Sequence, residues 1–289
     1  MTTDRGTRVR EINADDISRV VSELCQTAAH VLPADVVAGL RKAEKSEKSP
    51  LAKQVLIEIL ENVDISKRDL IPLCQDTGTT VVLVDVGQDV HIVGGSLRDA
   101  INAGVGKGYT DGYLRASMVA HPFSTRVNTT NNTPAVIHTE IVPGDVFKIT
   151  VVPKGGGCEN MSKFTIMLPS RGKEGITEFV LNTIEESGGN PCPPLVVGVG
   201  VGGSSEYAMY LAKRAIVRPV GVPSDDPETA EFERELLEKV NALGVGPQAV
   251  GGINTAMAVN IETYPTHITS LPVAVNLQCH SARSKTAEL

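Results

Sequence analysis

The feature that most constrains this fold is a change of hydrophobic period near residue 70. Before it, apolar residues recur at helical spacing; beyond it, short β-branched runs alternate with amphipathic stretches. In DDISRVVSELCQTAAHVL, Ile17, Val20, Val21, Leu24 and Cys25 share one helical stripe, with Asp15 or Asp16 available as N-cap. Pro33 closes this helix and opens a second, ADVVAGLRKAEKSEK, and Ser49-Pro50 opens a third, SPLAKQVLIEILENV. The pattern predicts an α/β (α+β) chain. A helical N-terminal layer over residues 1–70 is followed by mixed β-sheets packed with helices over 71–289, in one integrated domain.

Within the second region TTVVLVDVG reads as a strand and SLRDAINAGVGKGYTDGYLRASMV as a glycine-interrupted helix. PAVIHTEIV and DVFKITVVPK flank Pro143-Gly144 and predict a hairpin. KEGITEFVLNTIEESG is a helix ending at Gly188, and LVVGVGVGG a buried strand. SSEYAMYLAKRAIV is a helix capped by Ser204 or Ser205, and DPETAEFERELLEKVNALG a helix closed by Gly244. HITSLPVAVNLQCHSARSKTAEL is a strand leading into a short polar end.

With 3% aromatic residues and no Trp, the core must be built from Val, Ile, Leu and Ala. The net charge of −7 offers no footprint for nucleic acid or an anionic membrane. The charged start, MTTDRGTRVREINADD, has no apolar signal-peptide core, and no apolar run approaches membrane-spanning length. A soluble, cytoplasmic protein is expected. Five cysteines without a CxxC pair argue against a disulfide framework, a zinc ribbon or thioredoxin-type chemistry.

Three segments invite a chemical reading. VVGVGVGGSSEYA has the strand, glycine turn and helix start of a phosphate cradle, but its glycines do not spell GxGxxG. A carboxylate at that helix start fits better than a nucleotide. KGGGCEN reads as a glycine nest or as a plain loop; in the first case backbone N–H groups approach a ligand closely and Lys154 serves an anion. Cys74, Cys192 and Cys279 each sit at a strand edge beside Pro, Gly or polar residues. Cys25 lies in an apolar stripe and reads as a structural thiol. Three thiols from separate segments suit an iron–sulfur cluster better than zinc, although scattered cysteines are commonly unrelated.

The flanks of these cysteines carry more. CQDTGT, YLRASMV, NTTNNTPAVIHTEIVPGD, KGGGCENMS, NPCPPLVVGVGVGGSSE and THITSLPVAVNLQCHSAR, in this order, resemble the class I, iron–sulfur-dependent fumarate hydratases. The match is to the α subunit of the two-subunit form, from about residue 10 to the end; tartrate dehydratase α subunits share most of it. The resemblance implies a [4Fe-4S] cluster held by Cys74, Cys192 and Cys279, with one iron open to a dicarboxylate. It implies Gln75 and Asp76 as catalytic contacts to substrate, and Arg115 as a carboxylate clamp. Gly155, Gly156, Gly157 and His267 would complete the substrate site. Cys158 stands where the family often has a small polar residue, and no ligand role is carried onto it.

The resemblance further implies a hydro-lyase of the tricarboxylic acid cycle, interconverting fumarate and (S)-malate. Since the family's proposed base and further cationic contacts lie in its second half, this chain is expected to be inactive alone. It would need a separate β subunit, in a hetero-oligomer. Tartrate dehydratase is the alternative within the family. A non-catalytic iron–sulfur or anion-binding protein is the alternative of another class. A Cys158 nucleophile is a third, without a neighbouring His in the sequence to activate it.

Overall fold

A computed structural model describes residues 9–289, so the first eight residues of the charged start lie outside the described residues. The elements in chain order are β1 (Arg10–Asn13), α1 (Ala14–His30), α2 (Ala34–Ser46), α3 (Pro50–Asp69), β2 (Thr79–Gly87), β3 (Val90–Val93), α4 (Leu97–Asp111), β4 (Val136–Val142) and β5 (Phe147–Lys154). Then come α5 (Gly156–Glu159), β6 (Lys163–Met167), α6 (Gly172–Ser187), β7 (Leu195–Gly203), α7 (Ser205–Ala215), α8 (Pro227–Ala242), β8 (Ala256–Thr266), β9 (Leu271–Gln278) and β10 (Lys285–Glu288). This is the mixed α/β architecture the periodicity predicts: helices first, then two mixed four-stranded sheets with helices. No helix among the described residues is long and apolar enough to cross a membrane.

Two compact units emerge. One comprises the described residues up to Val31, Asp69–Lys154 and Arg283–Leu289. Its sheet runs β10-β5-β2-β4, with β2 parallel to β4 and antiparallel to β5. The predicted hairpin is therefore absent: β4 and β5 lie on opposite sides of β2, because the strand already in place offers both of its edges. Val82 and Val84 of β2 and Phe147, Ile149 and Val151 of β5 pack with Ile17, Val21 and Cys25 of α1 and Ile101, Val105 and Tyr109 of α4. The glycines of α4 serve this packing: a Cβ at Gly104 would stand 2.5 Å from the Ser18 carbonyl oxygen. The N-cap of α1 is Asn13, whose side chain accepts from the Asp15 amide, since the helix begins at Ala14 and already includes both Asp15 and Asp16. Helix α4 stops at Asp111, well short of Arg115; after Gly112 the chain leaves through Tyr113 in the left-handed region, φ 52°. The short polar end is also a strand, β10, paired with β5.

The second unit comprises Leu32–Arg68 and Gly155–Ala282. Its sheet runs β6-β9-β7-β8, with β7 parallel to β8 and antiparallel to β9. Val197 and Val199 of β7 enter a core with Val180 and Ile184 of α6 and Leu236 and Val240 of α8. The intervening Gly198 and Gly200 face α7, where a Cβ would come within 2.3 Å of the Ala212 carbonyl oxygen and 2.0 Å of that of Ala208. The VGVGVGG run is thus a strand with one face valine and one face bare, so that a helix lies on its backbone. At the α7 start, the Ser204 and Ser205 hydroxyls bond the chain's own Glu206 carboxylate.

Candidate functional site

In the first unit the PLCQDTG turn precedes β2. Its backbone is fixed from several sides. The Leu73 amide donates to the Ala29 carbonyl (3.0 Å), and the Tyr109 hydroxyl donates to the Thr77 carbonyl (2.7 Å). Asn132 donates to the Gly78 carbonyl (3.0 Å), and Arg283 Nη2 donates to the Asp76 carbonyl (2.7 Å). The Asp76 carboxylate accepts from the Gly78 amide (3.0 Å), an Asx-type closure of the turn. Gly78 is required: its φ is +80° and a Cβ would meet the Lys154 backbone at 2.7 Å. The interior thus holds the main chain, while Cys74 and Asp76 are half-buried and Gln75 is exposed.

Arg115 belongs to this same group. The Thr77 hydroxyl donates to the Arg115 carbonyl at 2.6 Å, tying the YLRAS loop, in which Arg115 is exposed, to the turn. Asn132, 0% exposed, accepts from the Ser117 amide at 2.7 Å and so braces both strips. Arg283 is 1% exposed, and its Nε and Nη1 have no hydrogen-bond partner among the described residues.

In the second unit β7 and β9 are antiparallel, with Val196 opposite Gln278. Cys192 just precedes β7 and Cys279 just follows β9, so the two thiols occupy the same end of the sheet. The link is direct: the His280 amide donates to the Cys192 carbonyl at 3.2 Å. His280 Nδ1 stands 3.0 Å from that carbonyl and 3.0 Å from Gln248 Nε2, which also donates to the Pro193 carbonyl (3.0 Å). Cys192 adopts φ +55° and Gln248 +48°, conformations costly for side chains with a Cβ. The interlocking of these two left-handed residues through His280 holds the Cys192 loop in place.

The KGGGCEN segment reaches the same end. It is a single helical turn and not a nest: none of Gly155, Gly156 and Gly157 has positive φ. Gly155 is buried, Gly156 and Gly157 are exposed, and a Cβ at Gly157 would meet the Asn190 carbonyl oxygen at 3.1 Å. Glu159 anchors the turn by accepting from Lys213 (2.6 Å) and Asn276 (3.1 Å). The Cys158 thiol is 2% exposed, donating to the Gly155 carbonyl (3.3 Å) and Gln278 Oε1 (3.5 Å). That is the setting of a packing residue. His267 is placed elsewhere. It is exposed at the turn after β8, bonded to Thr269, and the eight residues of β9, roughly 26 Å at 3.3 Å each, separate it from Cys279.

The five thiols divide by exposure. Cys25 and Cys158 are buried, and burial pushes the Cys25 thiol up to about 12. Cys74, Cys192 and Cys279 are half-exposed and in no disulfide. This donor set of three accessible sulfurs fits an iron–sulfur cluster. Among the described residues no three His, Cys, Asp or Glu side chains gather into a site for a single metal ion. Sequence reading passed over Tyr109, Asn132, Gln248, His280 and Arg283. A buried Arg in CHSAR and a histidine beside a cysteine were the available signals, but only the folded chain shows their partners.

The chain matches the family model described as Fumarate hydratase (Fumerase) over residues 18–288. A protein of Methanocaldococcus jannaschii named "Putative L(+)-tartrate dehydratase subunit alpha" is 42% identical over 92% of this chain and 95% of its own length. The L(+)-tartrate dehydratase subunit alpha of Escherichia coli K12 is 32% identical over 93% of this chain and 89% of its own. The protein of the same name from Shigella sonnei shows the same identity and coverage, 32%, 93% and 89%.

Proposed function

The chain belongs to the fumarate hydratase (fumerase) family, and from that premise we propose that it is the α subunit of an L(+)-tartrate dehydratase. The observation that carries this reading is the likeness to proteins of that name, 42% and 32% identical over more than nine-tenths of the chain. It reverses the order expected above, where malate and fumarate stood first. The fumarate hydratase reading is kept second on the strength of the family match.

Family membership implies an iron–sulfur cluster. Cys74, Cys192 and Cys279 would hold it as [4Fe-4S], and Cys25 and Cys158, both buried, would not. When bound, such a cluster supplies Lewis acidity to the hydroxyl that leaves, through an iron carrying no protein ligand. The rest is positioning by this chain. Gln75 and Asp76 project from a turn whose backbone is immobilised by Tyr109, Asn132 and Arg283, so they can hold a hydroxy acid in one pose. Arg115, tied to that turn through Thr77, presents a planar guanidinium to a carboxylate. Gly156 and Gly157, bare and exposed, let a second carboxylate approach the backbone beyond Gly155. His267, the remaining substrate contact that the resemblance implies, lies at the far end of β9 from Cys279, where it is exposed. The α designation of the relatives implies a β subunit, proposed to carry the base and remaining cationic contacts. A non-catalytic cluster carrier would have no use for Gln75, Asp76 and Arg115.

The test is a substrate panel on the chain co-produced with its β subunit and reconstituted without oxygen. L(+)-Tartrate should be dehydrated faster than (S)-malate; the opposite ranking would establish the fumarate hydratase reading instead. Cluster absorbance should vanish in Cys74→Ser, Cys192→Ser and Cys279→Ser and persist in Cys25→Ser and Cys158→Ser.

A further inference from the structure

Arg283 is among the largest fully buried side chains of the chain, at 1% exposure. A guanidinium has five N–H donors and a permanent charge. Here Nη2 donates to the Asp76 carbonyl at 2.7 Å, while Nε and Nη1 have no partner among the described residues. Burying such a group without an anion is strongly unfavourable, and proteins that tolerate it use it. The carbonyl it touches belongs to Asp76, two residues from Cys74. Its unpartnered atoms are closed to solvent, so a freely diffusing dicarboxylate cannot be their regular counter-ion.

We propose that Arg283 is a positioning residue for the metal group: a resident cation that offsets the negative charge of a thiolate-bound iron–sulfur cluster at the Cys74–Asp76 turn. The proposal deepens the reading above and rests on it. In the chain without cluster, Arg283 is buried with two N–H groups unmet. With cluster, the same charge is offset. Removing it should therefore act oppositely on the two forms, which a merely structural arginine would not do. Loss of an outer partner of this kind commonly weakens metal retention by about 10- to 100-fold.

The experiment uses the full chain, reconstituted anaerobically with ferrous iron and sulfide. Iron and sulfide per chain, visible absorbance, the rate of iron loss to a chelator and the melting temperature before and after reconstitution are measured. Arg283→Met should melt at or above wild type without cluster and, once loaded, lose iron about 10- to 100-fold faster. Arg283→Gln, which keeps a donor for the Asp76 carbonyl but no charge, should lose iron almost as fast. Arg283→Lys, which keeps the charge, should approach wild type. Wild-type iron loss in the Met and Gln variants overturns the proposal alone, as does an equal drop in melting temperature in both forms. A wild-type chain that takes up no iron and sulfide overturns the proposed function together with it.

Discussion

Replacing Tyr109 by Phe tests whether the buried hydroxyl holds the CQDTG turn. The ring is 1% exposed and packed among α1, β2 and α4, so Phe preserves its volume and contacts. What is lost is one donor: the 2.7 Å bond to the Thr77 carbonyl, and with it a weaker 3.4 Å contact to that of Gly78. The Gly78 carbonyl retains Asn132, so the cost falls on Thr77. A buried acceptor left unsatisfied costs about 1–3 kcal/mol. For a chain of this size each kcal/mol lowers the melting temperature by roughly 2–4 °C, so a fall of roughly 2–12 °C is expected. The functional effect should be larger than the thermal one. The turn carries Gln75 and Asp76, and small displacements of positioning groups cost up to about 100-fold in rate. With the β subunit present, turnover of tartrate should fall at least about 10-fold, at unchanged iron and sulfide content. Thermal melts, iron analysis and steady-state rates decide it. Wild-type melting and wild-type turnover together would refute the view that this hydroxyl fixes the turn; lost iron would show that it serves Cys74 and not the substrate contacts.

Gly200→Ala should destabilise by about 1–3 kcal/mol or more, read by denaturant melts, because the added methyl lies 2.0 Å from the Ala208 carbonyl oxygen of α7; an unperturbed melt would mean that the glycine run is not there for packing. Gln248→Gly removes the side-chain bond to the Pro193 carbonyl and the one to His280, yet suits the left-handed backbone at φ +48°. It should change stability by less than about 1 kcal/mol while speeding iron release to a chelator; unchanged release would detach Gln248 from the cluster loop. Cys25 has its folded pKa raised by burial from 9.0 to about 12. Its stabilising contribution is complete below about pH 9 and is lost as pH rises toward 12, at up to about 1.4 kcal/mol per pH unit. Melts of wild type should therefore fall more steeply above pH 9 than those of Cys25→Ala; parallel slopes would contradict the assignment.

Much of the architecture was legible in the sequence because it rests on local patterns. The helical period up to residue 70 and the caps Pro33 and Gly188 are written in nearest-neighbour chemistry. The valine runs of β2 and β7 are likewise read as buried strands without reference to their partners. The division of cysteines also survives: the three beside Pro, Gly and polar residues are the half-exposed ones, and the two others are buried. Pairing was not legible. β4 and β5 are joined by a turn that suits a hairpin, yet each bonds to β2, a strand distant in sequence, and no local rule sees that competitor. The two glycine clusters misled for a related reason. In VGVGVGG the missing side chains make room for α7, and in KGGGCEN they shape one helical turn lying against Asn190.

Side-chain identity and short-range spacing were enough to read the class of elements and the family that the chain resembles. Only the tertiary structure decided their company. It placed Cys192 and Cys279 at one end of an antiparallel pair and His267 at the other. It bound Arg115 to the turn of Gln75 and Asp76 through Thr77, and left Arg283 buried with two donors unmet. These are facts about which distant groups share a dielectric and a hydrogen bond, and only chain folding brings such groups within reach of each other.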